Sequence, residues 1–146
     1  MSAIESIDLW HSRARPNPTP ENFNVQLGCH FEEVCEMFDA LAFDMESAGE
    51  ASVAHKALVK LAERLKSGDG KAKIYGRKDF LDSIADQIVT GIGVAHCAGM
   101  DGRTAVVRVN QSNWSKFDDD GQPIFSEHGK ITKGPRYAPP DLEGLY

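Results

Sequence analysis

Glu32, Glu33 and Glu36 sit three and four residues apart in a stretch with no basic side chain. Between Arg15 and Lys56 there is no lysine or arginine, yet Glu21, Glu32, Glu33, Glu36, Asp39, Asp44, Glu46 and Glu50 all fall there. A solvated helix normally interleaves opposite charges at i,i+4. This stretch leaves its acids unpaired within the helix. At helical spacing Glu32, Glu33 and Glu36 project from adjoining surface. The face of Glu36 continues through Ala40 and Phe43, and a face that turns apolar one turn later is expected to be partly buried. Asp82 and Asp86 repeat the device, four apart, with no lysine or arginine between Lys78 and Arg103. Their face continues through Val89, Gly93 and His96, while Leu81, Ile84, Ile88 and Ile92 line another. Acids on such helices are costly to bury unless a cation meets them. Two of these helices packed together would gather four or five carboxylates. All-oxygen donors suit Mg²⁺ or Mn²⁺, hard cations that also engage phosphate. The competing reading is a solvated acidic face on each of two unrelated helices, with Asp79 and Asp82 favoured by the helix dipole. The residue pattern alone leaves the two open.

The elements that must position these groups are helical. A short helix is predicted over about 3–14, stopped by Pro16, Pro18 and Pro20. Phe31, Val34, Cys35, Phe38, Leu41, Ala42 and Met45 repeat at helical spacing and predict a long helix over 21–47, with Gly49 marking its end. Further helices are expected over 51–66, 78–98 and 102–110. Gly91 and Gly93 inside the fourth would permit close packing against a neighbour. From Trp114 onward the character changes. Ile124-Phe125 and Lys130-Ile131 flank a turn and suggest a small hairpin, and the prolines beyond it favour an extended tail. The expected architecture is all-α: a single domain over 1–146, a helical bundle with its core at about 21–112 and an extended tail over 113–146.

Composition narrows the function. The formal net charge is −6 with no basic stripe, which argues against binding a nucleic-acid polymer. A nucleotide substrate remains compatible, because divalent metals screen phosphate from carboxylates. Cys29, Cys35 and Cys97 form no CxxC pair and read as free thiols in a reducing compartment, most simply as small buried apolar residues. No stretch approaches the ~20 apolar residues of a membrane span, so a soluble, cytoplasmic protein is expected.

The segment Phe31-Glu32-Glu33-Val34-Cys35-Glu36 resembles the EExxE helix motif of MazG-like all-α nucleoside triphosphate pyrophosphohydrolases. Asp82-Ser83-Ile84-Ala85-Asp86 is similar to their second metal motif, ExxD. Arg108–Lys116 resembles the NxSK element that follows. Gly121–Phe125, Gly129-Lys130-Ile131 and Lys133–Tyr137 resemble a C-terminal extension of phage-type members. Together these cover roughly 22–142. The resemblance implies a helical bundle, a homodimer or homotetramer, and Mg²⁺-dependent cleavage of a nucleoside triphosphate to the monophosphate and pyrophosphate, in the host cytoplasm if phage-encoded. In one departure, Ser83 stands where the second motif has an acid, and Asp82 lies one residue earlier.

On that resemblance Glu33, Glu36 and Asp86 are metal ligands, either Asp82 substitutes as a further ligand or the site holds fewer metals, and Glu32 is a ligand or the general base. Lys116 becomes a phosphate clamp; otherwise it reads as a surface lysine. Asn113 binds phosphate or sugar, or caps a turn. Lys133 and Arg136 sit in a tail that either folds over the nucleotide or is solvated. Tyr137, Trp114 and Phe117 are suited to stacking on a base, although packing is the default for each. His96 is expected to be a packed, hydrogen-bonded histidine. Competing readings are a dUTP- or phosphoribosyl-ATP-specific hydrolase on the same fold, and a non-catalytic helical oligomeric binding protein. A di-iron carboxylate bundle would need Glu-x-x-His, which the chain lacks.

Overall fold

The computed structural model describes residues 1–146. The chain is all-α, with five helices and no sheet: α1 (Ala3–Ala14), α2 (Pro20–Asp39), α3 (Ala48–Ser67), α4 (Arg77–Cys97) and α5 (Gly102–Trp114). Local chemistry sets the starts. Ser2 and Glu5 form a capping box, the Ser2 hydroxyl accepting from the Glu5 N–H and the Glu5 carboxylate from the Ser2 N–H. Thr19 and Asn22 do the same for α2, where Pro20 occupies the first helical position and needs no N–H partner there. Asp101 caps α5 through the Thr104 N–H.

The predicted helix over 21–47 ends early, and 40–47 is turn and loop. α2 stops at Asp39, and the N–H groups of Ala40 and Leu41 close tight turns onto Met37 and Phe38. Asp44 then accepts from the Ser47 N–H through its side chain and from the Ala48 N–H through its carbonyl, so it acts as the cap that launches α3. Phe43 turns back to lie 5.7 Å from the Phe38 ring, centroid to centroid. The apolar continuation read from Glu36 through Ala40 and Phe43 is therefore not a helix face. Gly49 falls inside the first turn of α3 rather than at a helix end.

The residues divide into two compact units, Met1–Pro16 with Ile74–Ile124 and Ile131–Tyr146, and Asn17–Lys73 with Phe125–Lys130. In the first, α1 and α4 each pack on α5. Trp10, Ala14 and Phe117 form its core, with Trp114 and Ile131 against them. Trp10 stacks on Phe117 at 5.8 Å, so the aromatic residues near the end of α5 serve packing. The tail is held down: the Ser112 hydroxyl donates to the Ala138 carbonyl and the Ser115 hydroxyl accepts from the Ala138 N–H. The expected hairpin is reduced to isolated pairings, the Thr132 N–H to the Ile124 carbonyl and the Ser126 N–H to the Lys130 carbonyl.

In the second unit α2 packs along α3, and Gly28 makes the close approach possible. A Cβ there would lie 2.8 Å from the Ala62 carbonyl oxygen and 2.8 Å from Lys66 Cγ. Gly91 and Gly93, the glycines expected to permit packing, face open space. Gly28→Ala is expected to destabilise. Overpacking against backbone costs about 1–3 kcal/mol, which exceeds the ~1 kcal/mol that alanine gains over glycine in a helix. Thermal denaturation should show a lower Tm, whereas Gly91→Ala should raise it slightly.

Candidate functional site

The acids of α2 divide by what meets them. Glu32 is half-buried, and each of its carboxylate oxygens takes a lysine: Lys66 Nζ at 2.6 Å from α3 and Lys130 Nζ at 2.7 Å from the 125–130 turn. Burial alone would raise the Glu32 carboxyl, but the hydrogen bonds from Lys130 and Lys66, with their charges, outweigh it and hold the pKa below the ordinary glutamate value. The hydrogen bond to Glu32 raises Lys130 in return, against a smaller opposing effect of burial. Asp39 Oδ1 lies 3.2 Å from His55 Nε2, close enough for an ion pair though without hydrogen-bond alignment. Glu33 and Glu36 are exposed.

A pH dependence follows. A depressed carboxyl stabilises above its unfolded pKa, and the contribution is lost as pH falls through the folded value. The raised Lys130 contributes below the ordinary lysine pKa, and its share is lost as pH rises through its folded value. The second unit should therefore lose stability on acidification below the ordinary glutamate range and again in strong alkali. Glu32→Gln is expected to cost about 1–2 kcal/mol near neutrality, since charge-assisted bonds are partly screened here. It should also flatten the acid limb, as urea denaturation across pH would show.

On α4, Asp82 and Asp86 are exposed, and the Thr90 hydroxyl donates to the Asp86 carbonyl. The donor types, carboxylate oxygens throughout, suit a hard divalent cation. Their arrangement in one chain does not complete a site, since no three His, Cys, Asp or Glu side chains come together to hold a metal ion. Each Glu32 oxygen accepts from a lysine, so its charge is already offset before any cation arrives, and its lowered pKa makes it a weaker base than a free glutamate. Its geometry is that of an anchor between α2, α3 and the 125–130 turn.

The remaining candidates lie near the end of α5. The Asn113 carbonyl accepts the Trp10 indole N–H at 2.9 Å, so its backbone is structural and its amide is separate from that role. Gly134 passes so close to Lys116 that a Cβ would lie 2.5 Å from the Lys116 carbonyl oxygen. This brings the Lys133–Tyr137 turn beside Lys116. Both cations of the turn are engaged: Arg136 donates to the Asp118 carbonyl and pairs with Asp119 at 3.1 Å, and the Lys133 ammonium sits 4.6 Å above the Tyr137 ring. His96 is exposed rather than packed. Of the thiols, only Cys35 is buried, and burial pushes it up. Lys66 and Lys130 were not legible as partners of Glu32, because neither lies near it in sequence.

Compared with protein families, curated proteins and solved structures, the chain matches none.

Proposed function

We propose that this chain is a Mg²⁺-dependent nucleoside triphosphate pyrophosphohydrolase of the MazG-like kind, acting as a homodimer or homotetramer in the cytoplasm. The observation that carries the reading is on α2: Glu33 and Glu36 stay exposed, nearly one turn apart, on a helix with no lysine or arginine of its own. Glu33, Glu36, Asp82 and Asp86 would hold the metal. When bound, Mg²⁺ would neutralise phosphate charge and acidify water. The protein's own part is positioning. Lys116 and Lys133 offer cations to the phosphates, and Arg136 joins them once it leaves Asp119. Tyr137 offers a ring face to the base, and Asn113 offers its side-chain amide.

A second reading, a non-catalytic helical oligomeric binding protein, is favoured by the failure of three ligands to converge within one chain. A release assay across all NTPs and dNTPs, separating pyrophosphate from phosphate with Mg²⁺ and with chelator, decides between them. Metal-dependent pyrophosphate release supports the hydrolase. No release from any nucleotide leaves the binding protein. Release from dUTP alone would narrow the activity to a dUTP-specific enzyme, and phosphoribosyl-ATP belongs in the same panel.

A further inference from the structure

α4 is twenty-one residues long and buries none of them. Its half-covered residues, Phe80, Ile84 and Ala95, lie to one side, where Gly102 of α5 abuts Ala95. Beside them runs an uncovered ridge of Leu81, Ala85, Ile88, Val89, Ile92 and His96. Leu81 is 69% exposed, Ile88 53%, Val89 69% and Ile92 41%. The spacing, i+4, i+7, i+8, i+11 and i+15, keeps all six on one helical stripe, about 22 Å long at 1.5 Å per residue. Isolated exposed aliphatics are ordinary, but a contiguous row marks an interaction surface.

We propose that this ridge pairs antiparallel with the same ridge of a second copy, about a two-fold axis between Ile88 and Val89. The occupant is read from self-complementarity. About that midpoint Ile88 meets the partner's Val89, small Ala85 meets the partner's Ile92, and Leu81 meets the partner's His96. Charge selects the direction. Arg77 and Lys78 open α4 and, antiparallel, lie beside the partner's last turn, the partially negative end of its helix dipole. Parallel pairing would instead stack Arg77 and Lys78 of both copies together. An isologous contact of this kind closes on itself. It supplies a surface for the oligomer in the hydrolase reading, on which it rests only for that oligomer, and its test uses no nucleotide: an oligomer that survives Ile88→Lys overturns the ridge and leaves the hydrolase reading standing.

Sedimentation velocity of the full chain at about 10 μM, a concentration that populates associations of micromolar Kd or tighter, should show a dimer or a multiple of one. Ile88→Lys should halve the mass with unchanged far-UV circular dichroism, because Ile88 is already half exposed. Thr90→Lys, on the far side of α4, should leave the mass alone. In a background with Cys29→Ser and Cys97→Ser, Ile88→Cys should form an intermolecular disulfide on oxidation, and Leu81→Cys, about 22 Å from its twin, should not. A monomeric parent, an Ile88→Lys variant that keeps its mass, or cross-linking through Leu81→Cys would each overturn the proposal. The cross-linking pair decides the matter if Ile88→Lys misfolds.

Discussion

Glu36→Gln is expected to reduce pyrophosphate release by about 10²–10³-fold, the loss seen when one preorganised electrostatic group is removed, and to leave the fold unchanged. The two halves of that expectation come from one fact. Glu36 is exposed on α2, so exchanging its carboxylate for an isosteric amide breaks no packing. It also shares a face with Glu33 and, one turn back, with Glu32. Of the three, Glu32 is already neutralised by Lys66 and Lys130. The exposed negative charge of this cluster is carried by Glu33 and Glu36. Removing one charge from such a pair should leave metal-free stability equal or slightly higher. The measurement is pyrophosphate release at saturating nucleotide over a Mg²⁺ titration, with thermal denaturation alongside. Parent-like turnover in Glu36→Gln would remove the basis for assigning a metal to α2. Comparison with Glu32→Gln is informative, because that change should act through stability first and its activity loss should shrink on cooling.

Trp10→Ala carries the largest expected loss of stability, about 3–5 kcal/mol. Trp10 is buried against Ala14 and Phe117 and stacked on the Phe117 ring at 5.8 Å. Its indole N–H also donates to the Asn113 carbonyl, which keeps the Lys116 N–H as a second donor, so truncation leaves a cavity and removes one of that carbonyl's two partners. Against a typical domain stability of about 5–15 kcal/mol, the change removes a large share, and the Tm should fall by roughly 10 °C or more. Trp10→Phe separates the terms. It keeps most of the ring packing and loses the donor, and should cost about 1–2 kcal/mol. Equal losses in the two variants would show that the hydrogen bond, not the packing, joins α1 to α5. Leu9→Ala, at a neighbouring exposed position, should fall within about 0.5 kcal/mol of the parent.

Helix starts were legible in the sequence because they are local. Ser2 with Glu5 and Thr19 with Asn22 satisfy N–H groups only three residues away, and Pro20 needs no partner at all. The all-α class, α1, and α4 to within a residue at each end followed from 3.6-residue periodicity and helix-stopping prolines. The same periodicity misread 40–47. Leu41, Ala42 and Met45 continued the helical pattern, but the backbone turned onto Met37 and Phe38 and the Asp44 cap began a new helix. Propensity and pattern are weak there against a cap and an aromatic contact.

The charges show most plainly what only the tertiary structure decided. The absence of lysine and arginine from 16–55 was read as acids left unpaired, and within the helix that is what the sequence determined. Partners for Glu32 came from 34 and 98 residues away, and Asp39 met His55 on the next helix. No helical spacing encodes those distances, because a charge is matched by whatever the packing of other elements brings within a few ångströms. The close approach of α2 to α3 at Gly28 was decided in the same way. Glycine alone does not say whether a neighbour is present: Gly28 has one, and Gly91 and Gly93 do not. The sequence by itself determined which residues can carry charge, where helices begin and which stripes are apolar. Packing determined which of the acids stay available: Glu32 became an anchor, while Glu36, Asp82 and Asp86 remained at the surface.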